Sequence, residues 1–144
     1  MKISNTNLWQ LIDQLAVQIP FRKDRLETLL QTQLREVKRT THTVFWEGKN
    51  LDIANGIHIA LLDLRLGNEV NDPGFMVLNL EGSCIRLEDV RAHYRNLVIT
   101  NTPRGRSSDE ATTHTSALSW GKLSFGFKES NPDCLSYVAF EPTT

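Results

Sequence analysis

A chain of 144 residues, 40% hydrophobic and 23% charged, has the size and make-up of one globular domain that buries its own core without metal or disulfide support. Lysine and arginine (16) nearly balance aspartate and glutamate (17), giving a formal net charge of −1 and a pI of about 6.4. This leaves out the basic excess from which a dedicated nucleic-acid binder draws most of its affinity, so no nucleic-acid partner is expected.

Helical signals come first. Ser4, Asn5 and Thr6 offer N-caps, and Leu8, Leu11, Ile12, Leu15 and Ile19 recur at helical spacing. Asp13, Gln10, Gln14 and Gln18 interrupt the apolar residues between Met1 and Pro20, which is not the pattern of a signal peptide. A cytoplasmic protein is therefore expected. Pro20 ends the first helix, and Leu26, Leu29, Leu30 and Leu34 mark a second over Lys23 to Gln33. Arg22, Lys23, Arg25, Arg35, Lys38 and Arg39 are interleaved with Asp24, Glu27 and Glu36, which reads as a solvated face.

The period then changes. Glu36 to Trp46 is rich in β-branched and aromatic residues, and Glu47-Gly48-Lys49-Asn50 reads as a turn before a short return strand, Leu51 to Ile53. Asn55-Gly56 is a hairpin signal, because both residues tolerate positive φ. Strands Ile57 to Leu66 and Phe75 to Leu80 complete an antiparallel meander. The first of these is the densest apolar run, yet His58, Asp63 and Arg65 break it, and nothing approaches the roughly 20 apolar residues of a membrane span.

A third helix is predicted over Ser83 to Tyr94, acidic at its start and basic at its end. Leu97 to Thr100 reads as a strand or its edge, and is followed by an irregular stretch from Asn101 to Thr112 and then Thr113 to Ser119. A last hairpin pairs Leu123 to Phe127 with Leu135 to Phe140, its apolar residues alternating. No internal repeat is visible. The expectation is a single α+β domain over 1–144: an N-terminal helical hairpin and a third helix packed on a largely antiparallel sheet.

No catalytic or metal site and no cofactor emerge. His42, His58, His93 and His114 lack ligand spacing, although His42 and His58 have the option of meeting across strands. Asp89 and His93, four apart on the third helix, suit an ion pair. Cys84 and Cys134 are far apart and read as buried free thiols in a reducing compartment; a disulfide would require export. Nucleophile elbows and phosphate loops are absent. Arg104 and Arg106, on a Pro/Gly turn, are candidates to clamp an anion near His114, against the plainer reading of an exposed loop capped by Ser107 and Glu110. Trp120 begins a strand at the sheet rim, where tryptophan either anchors an interface or caps the core.

The runs Pro103-Arg104-Gly105-Arg106-Ser107, Trp120-Gly121-Lys122-Leu123-Ser124-Phe125-Gly126-Phe127 and Asn131-Pro132-Asp133-Cys134-Leu135 resemble small bacterial proteins encoded beside polymorphic toxins. These are the cytoplasmic immunity proteins of type VI secretion and contact-dependent systems. The resemblance covers the C-terminal third and transfers no residue, since such families share no catalytic group. It implies a 1:1 inhibitor that occludes the active site of a cognate toxin. The surface expected to do so is polar and partly acidic: Asp63, Glu69, Asp72, Arg104, Arg106, Asp109, Glu110 and Trp120. The alternatives are a small-molecule (anion) binding or enzymatic domain using Arg104 and Arg106, or a subunit that self-associates through its sheet edge.

Overall fold

The computed structural model describes residues 3–143. Helices α1 (Leu8–Val17) and α2 (Lys23–Leu30) precede strands β1 (Arg35–Arg39), β2 (Thr43–Asp52), β3 (Ile57–Gly67) and β4 (Phe75–Gly82). Helix α3 (Leu87–His93) leads into β5 (Leu97–Asn101), β6 (Ala111–Leu118), β7 (Gly121–Lys128) and β8 (Tyr137–Pro142). All eight strands form one antiparallel sheet in the order β1-β2-β3-β4-β8-β7-β6-β5. The chain is thus α+β, as its periodicities imply.

That order is two four-stranded meanders laid edge to edge. Their seam is the pairing of β4 with β8, from Met76↔Phe140 to Asn79↔Tyr137. The repetition lies in topology, so a search of the sequence for repeated residues does not find it. One cluster of buried apolar side chains runs through both meanders, and each contributes roughly 1.5–3 kcal/mol over remaining exposed.

Local chemistry sets the boundaries. Helix α1 starts one residue later than expected, because Asn7 and Gln10 form a capping box: each side-chain oxygen accepts the other's backbone N–H, at 2.9 and 3.1 Å. Its stripe Leu8, Leu11, Ile12 and Leu15 is buried. Helix α2 stops at Leu30, where Gln31 turns left-handed (φ 53°), short of the expected Gln33.

The expected turn at Glu47–Asn50 is strand instead, with Glu47, Gly48 and Lys49 paired to Asp63, Leu62 and Leu61. Gly48 is there for close approach, since a Cβ would stand 2.8 Å from Leu34 Cδ2. The real turn lies at Thr40–Thr43, where the Thr40 hydroxyl accepts the Thr43 N–H at 3.1 Å. It divides what the sequence presents as one β-rich run. Asn55 and Gly56 do adopt positive φ, 68° and 73°, before β3.

Cys84 and Cys134 are not free thiols. They form a disulfide, with Cα atoms 5.0 Å apart. Cys84 follows β4 and Cys134 precedes β8, so the seam brings together cysteines 50 residues apart in sequence. Neither spacing nor composition reveals that adjacency. Among the described residues no helix is long and apolar enough to cross a membrane.

Candidate functional site

The helices lie on one face of the sheet. Met76, Leu78, Leu123, Phe125, Val138 and Phe140 point into that side and are fully buried. Among the described residues no element covers the opposite face. One register row on it crosses all eight strands: Arg35, Glu47, Asp63, Val77, Ala139, Ser124, Thr115 and Val98. The two meanders give this face two chemistries.

On the first meander the face is aromatic and charged. The Arg65 guanidinium lies between two rings, 5.2 Å from the Phe45 centroid and 5.4 Å from that of Phe75. The register Phe45↔Arg65↔Phe75 places it there. Arg65 also donates to Asp63 Oδ2 at 3.2 Å, and the Lys38 ammonium stands 5.3 Å from the Phe45 centroid. Stacking holds a cation that is otherwise flexible, while its remaining donors stay available. Beside it lies a cleft of about 350 Å³ reaching Thr43, Asp72 and Gly74.

On the second meander the face is hydroxylated. Thr115 hydrogen-bonds both Thr100 (2.9 Å) and Ser124 (2.8 Å), and Thr113 bonds Tyr137 at 2.6 Å. The Tyr137 ring lies over Gly126, where a Cβ would fall 1.9 Å from Cε2. Thr113 and Thr115 are buried, so this half is a network of hydroxyls paired with one another.

The expected partner-binding residues do not converge. Asp63 stands on the open face, with Arg65. Glu69 and Asp72 lie in the β3–β4 loop, and Trp120 in the β6–β7 turn, at one end of the strands. Asp72 shapes that loop by accepting the Gly74 N–H at 2.8 Å. Trp120 stacks on Phe140 at 6.0 Å and caps the core. Arg104, Arg106, Asp109 and Glu110 sit in the β5–β6 loop at the opposite end. Here Glu110 accepts the backbone N–H groups of Arg104 (3.1 Å), Arg106 (2.7 Å) and Ser107 (3.0 Å).

The chain's own carboxylate therefore occupies the backbone N–H groups of this loop, while the Arg104 and Arg106 side chains stand exposed. Only half of the expected capping box forms, because the Ser107 hydroxyl accepts from Asp109 and no helix follows. Nor does His114 join Arg104 and Arg106 as a surface group. It is buried, edge-on to Phe127, and desolvation lowers its pKa, with Arg91 adding to the effect.

The N–H bonds hold Glu110 below the usual carboxylate pKa, those of Arg106 and Arg104 contributing most. A depressed folded-state pKa gives stability that is present above the unfolded value, about 4.3, and lost as pH falls through the folded one. Amide exchange at Arg104, Arg106 and Ser107 is accordingly expected to accelerate below about pH 4 relative to the sheet amides. Glu110→Ala, which removes the acceptor, should show fast exchange at every pH, and unchanged protection in the variant would refute the assignment.

His42 and His58 do not meet: they lie at opposite ends of β2. His58 instead bonds Asp52 (2.6 Å) across the β2–β3 pair, and Asn50 at 3.2 Å. Asp89 and His93 form no side-chain pair, since Asp89 accepts the Arg86 N–H and the His93 ring donates to the Asp89 carbonyl at 3.0 Å. That ring stacks on Trp9 at 4.1 Å, walling a cleft of about 250 Å³ between α1 and α3. The basic residues near α2 are largely engaged, with Lys23 on Glu27, Arg39 on Glu36, and Arg22 on the carbonyls of Phe21 and Val70.

Sequence reasoning missed Phe45, Arg65, Phe75 and Tyr137 as surface groups. They read as strand residues, and only the register shows that they share the uncovered side. The chain matches no protein-family model, no curated protein and no solved structure.

Proposed function

We propose that this protein is a binding module that holds another protein on the open face of its sheet, and that the partner is a toxin it inhibits. The observation that carries the reading is the clamped Arg65. A guanidinium fixed between two aromatic rings, half exposed beside a cleft, has the composition and preorganisation of an interface hot spot. The toxin as partner, its 1:1 stoichiometry and its occluded active site come from the resemblance in the C-terminal third.

The test is protection of cells by co-expression with the toxin encoded beside this gene, together with the affinity of the purified pair. Arg65→Ala and Phe45→Ala should each weaken the complex by about 30-fold or more, as loss of a 2 kcal/mol hot spot implies, with the melting temperature little changed. Wild-type affinity in both variants, or no protection by the unaltered protein, would sink the proposal.

The resemblance carries a cytoplasmic location with it, whereas the disulfide favours an oxidising compartment, since cytosolic thiols are kept reduced. Alkylation and mass spectrometry of protein taken from its own cells separate the two. Two blocked thiols place the protein in the cytoplasm, and none places it outside.

A further inference from the structure

The sheet has two edges, and they are built differently. Edge β1 carries Arg35, Glu36, Lys38 and Arg39, is exposed throughout, and bulges between Glu36 and Lys38. Charges and a bulge are the devices by which proteins prevent an edge from recruiting another strand. Edge β5, Leu97-Val98-Ile99-Thr100-Asn101, also has a register irregularity, between Ile99 and Asn101, but it carries no charge at all. Val98 is 64% exposed and Ile99 55%. As successive strand residues they point to opposite faces, so each side of this edge offers an apolar contact.

The surroundings define what fits. Arg91, His93 and Arg95 are exposed just before β5, and Arg104 and Arg106 just after it. Glu110 directs its carboxylate into the loop's own N–H groups, and the exposed acidic side chains interspersed are Glu88 and Asp89 on α3, Asp109, and Glu129, whose N–H donates to the Glu110 carbonyl at 2.8 Å. A second copy of this chain is a poor occupant. Antiparallel self-pairing about Ile99 sets Arg95 of one copy opposite Pro103 and beside Arg104 of the other, and two-fold symmetry repeats the repulsion at the far end.

We propose that β5 recruits an extended segment of a partner protein as a ninth strand, and that this segment is apolar in its centre and acidic at both ends. Main-chain hydrogen bonds to the free edge supply affinity, Val98 and Ile99 each select an apolar side chain on their own face of the segment, and the flanking arginines select the acidic ends. The proposal is independent of the open-face reading, because it concerns a different surface and is tested with peptides.

The probes are three short synthetic peptides offered to the full chain: a core of successive valines with aspartates at both ends, the same core with lysines, and the aspartate form N-methylated at alternate amides. Binding is followed by titration and by amide exchange over residues 97–101. The aspartate peptide is expected to bind and protect β5 amides, at least about tenfold tighter than the lysine form, a difference of 1.4 kcal/mol. N-methylation should abolish the protection. Val98→Lys with Ile99→Lys should lose binding, and Val98→Thr with Ile99→Thr, which keeps β-branched side chains, should weaken it with an unchanged unfolding midpoint. Absence of binding by the aspartate peptide at about 1 mM, equal binding of the lysine peptide, or full binding by the lysine variant would each overturn the proposal. So would a dimer in sedimentation that the lysine variant dissociates.

Discussion

Replacing Cys84 and Cys134 together by serine is expected to cost about 4 kcal/mol and to lower the unfolding midpoint by roughly 10 °C. The cysteines are 50 residues apart, and closing a loop of that length removes about 4 kcal/mol worth of disorder from the unfolded chain in the loop-entropy model. Cys84 is exposed and Cys134 half-buried, so serine leaves no deep cavity and the loss is chiefly that of the crosslink. The bond also staples the end of the seam. Just inside it, Leu135 donates to the Ile85 carbonyl at 2.7 Å and Leu80 to that of Ser136 at 2.8 Å. Amides of β4 and β8 should therefore gain exchange more than those of β2. Reductant should shift the wild-type midpoint by the same amount and leave the double variant untouched. A wild-type midpoint insensitive to reductant would show that the bond contributes nothing to stability.

Legibility of this fold in its sequence followed the range of the interactions. Alternation along Leu123, Phe125 and Phe127 and along Leu135 to Phe140 identified the last hairpin, because period 2 is local, and the register adds that Val138 and Phe140 share the buried side. Asn55-Gly56 announced its turn for the same reason. Gly48 misled, because what it accommodates is Leu34, contributed by the end of the helical hairpin rather than by its own neighbours. The disulfide was invisible because it depends on β4 meeting β8, a pairing across the whole second meander.

The candidate site was legible to a different degree. Polar loop residues such as Glu69, Asp109 and Glu110 attracted notice as exposed charge, yet Glu110 is committed to its own loop. The Phe45–Arg65–Phe75 clamp has members in three strands, so it exists only once the register is known. Edge β5 was open to an edge reading from the start, but only the strand order shows that it is last in the sheet.

Phe140→Ala is expected to be the most damaging single substitution in the chain, costing about 3–5 kcal/mol and in the upper part of that range. Phe140 is fully buried on β8, opposite Met76 of β4 and Leu123 of β7, so it stands where the two meanders meet. Phe21, in the linker between α1 and α2, meets its ring edge-on at 6.0 Å, and Trp120 stacks on its other side. The cavity cannot close easily, because the hydrogen-bond ladders on both sides of β8 fix its spacing from β4 and β7. Phe140→Leu should recover most of the loss. Val17→Ala, at a side chain 81% exposed, should stay within about 0.5 kcal/mol. Denaturant titration of the three variants measures this, and a loss below about 2 kcal/mol in Phe140→Ala would contradict the packing argument. The number of transitions carries further information. If the seam makes the meanders one cooperative unit, Phe140→Ala keeps a single transition and moves its midpoint. If the helices alone hold the halves together, the transition splits. Combining Phe140→Ala with loss of the disulfide weakens the seam at both its middle and its end. In a domain whose whole stability is about 5–15 kcal/mol, that pair should leave little folded protein at 25 °C.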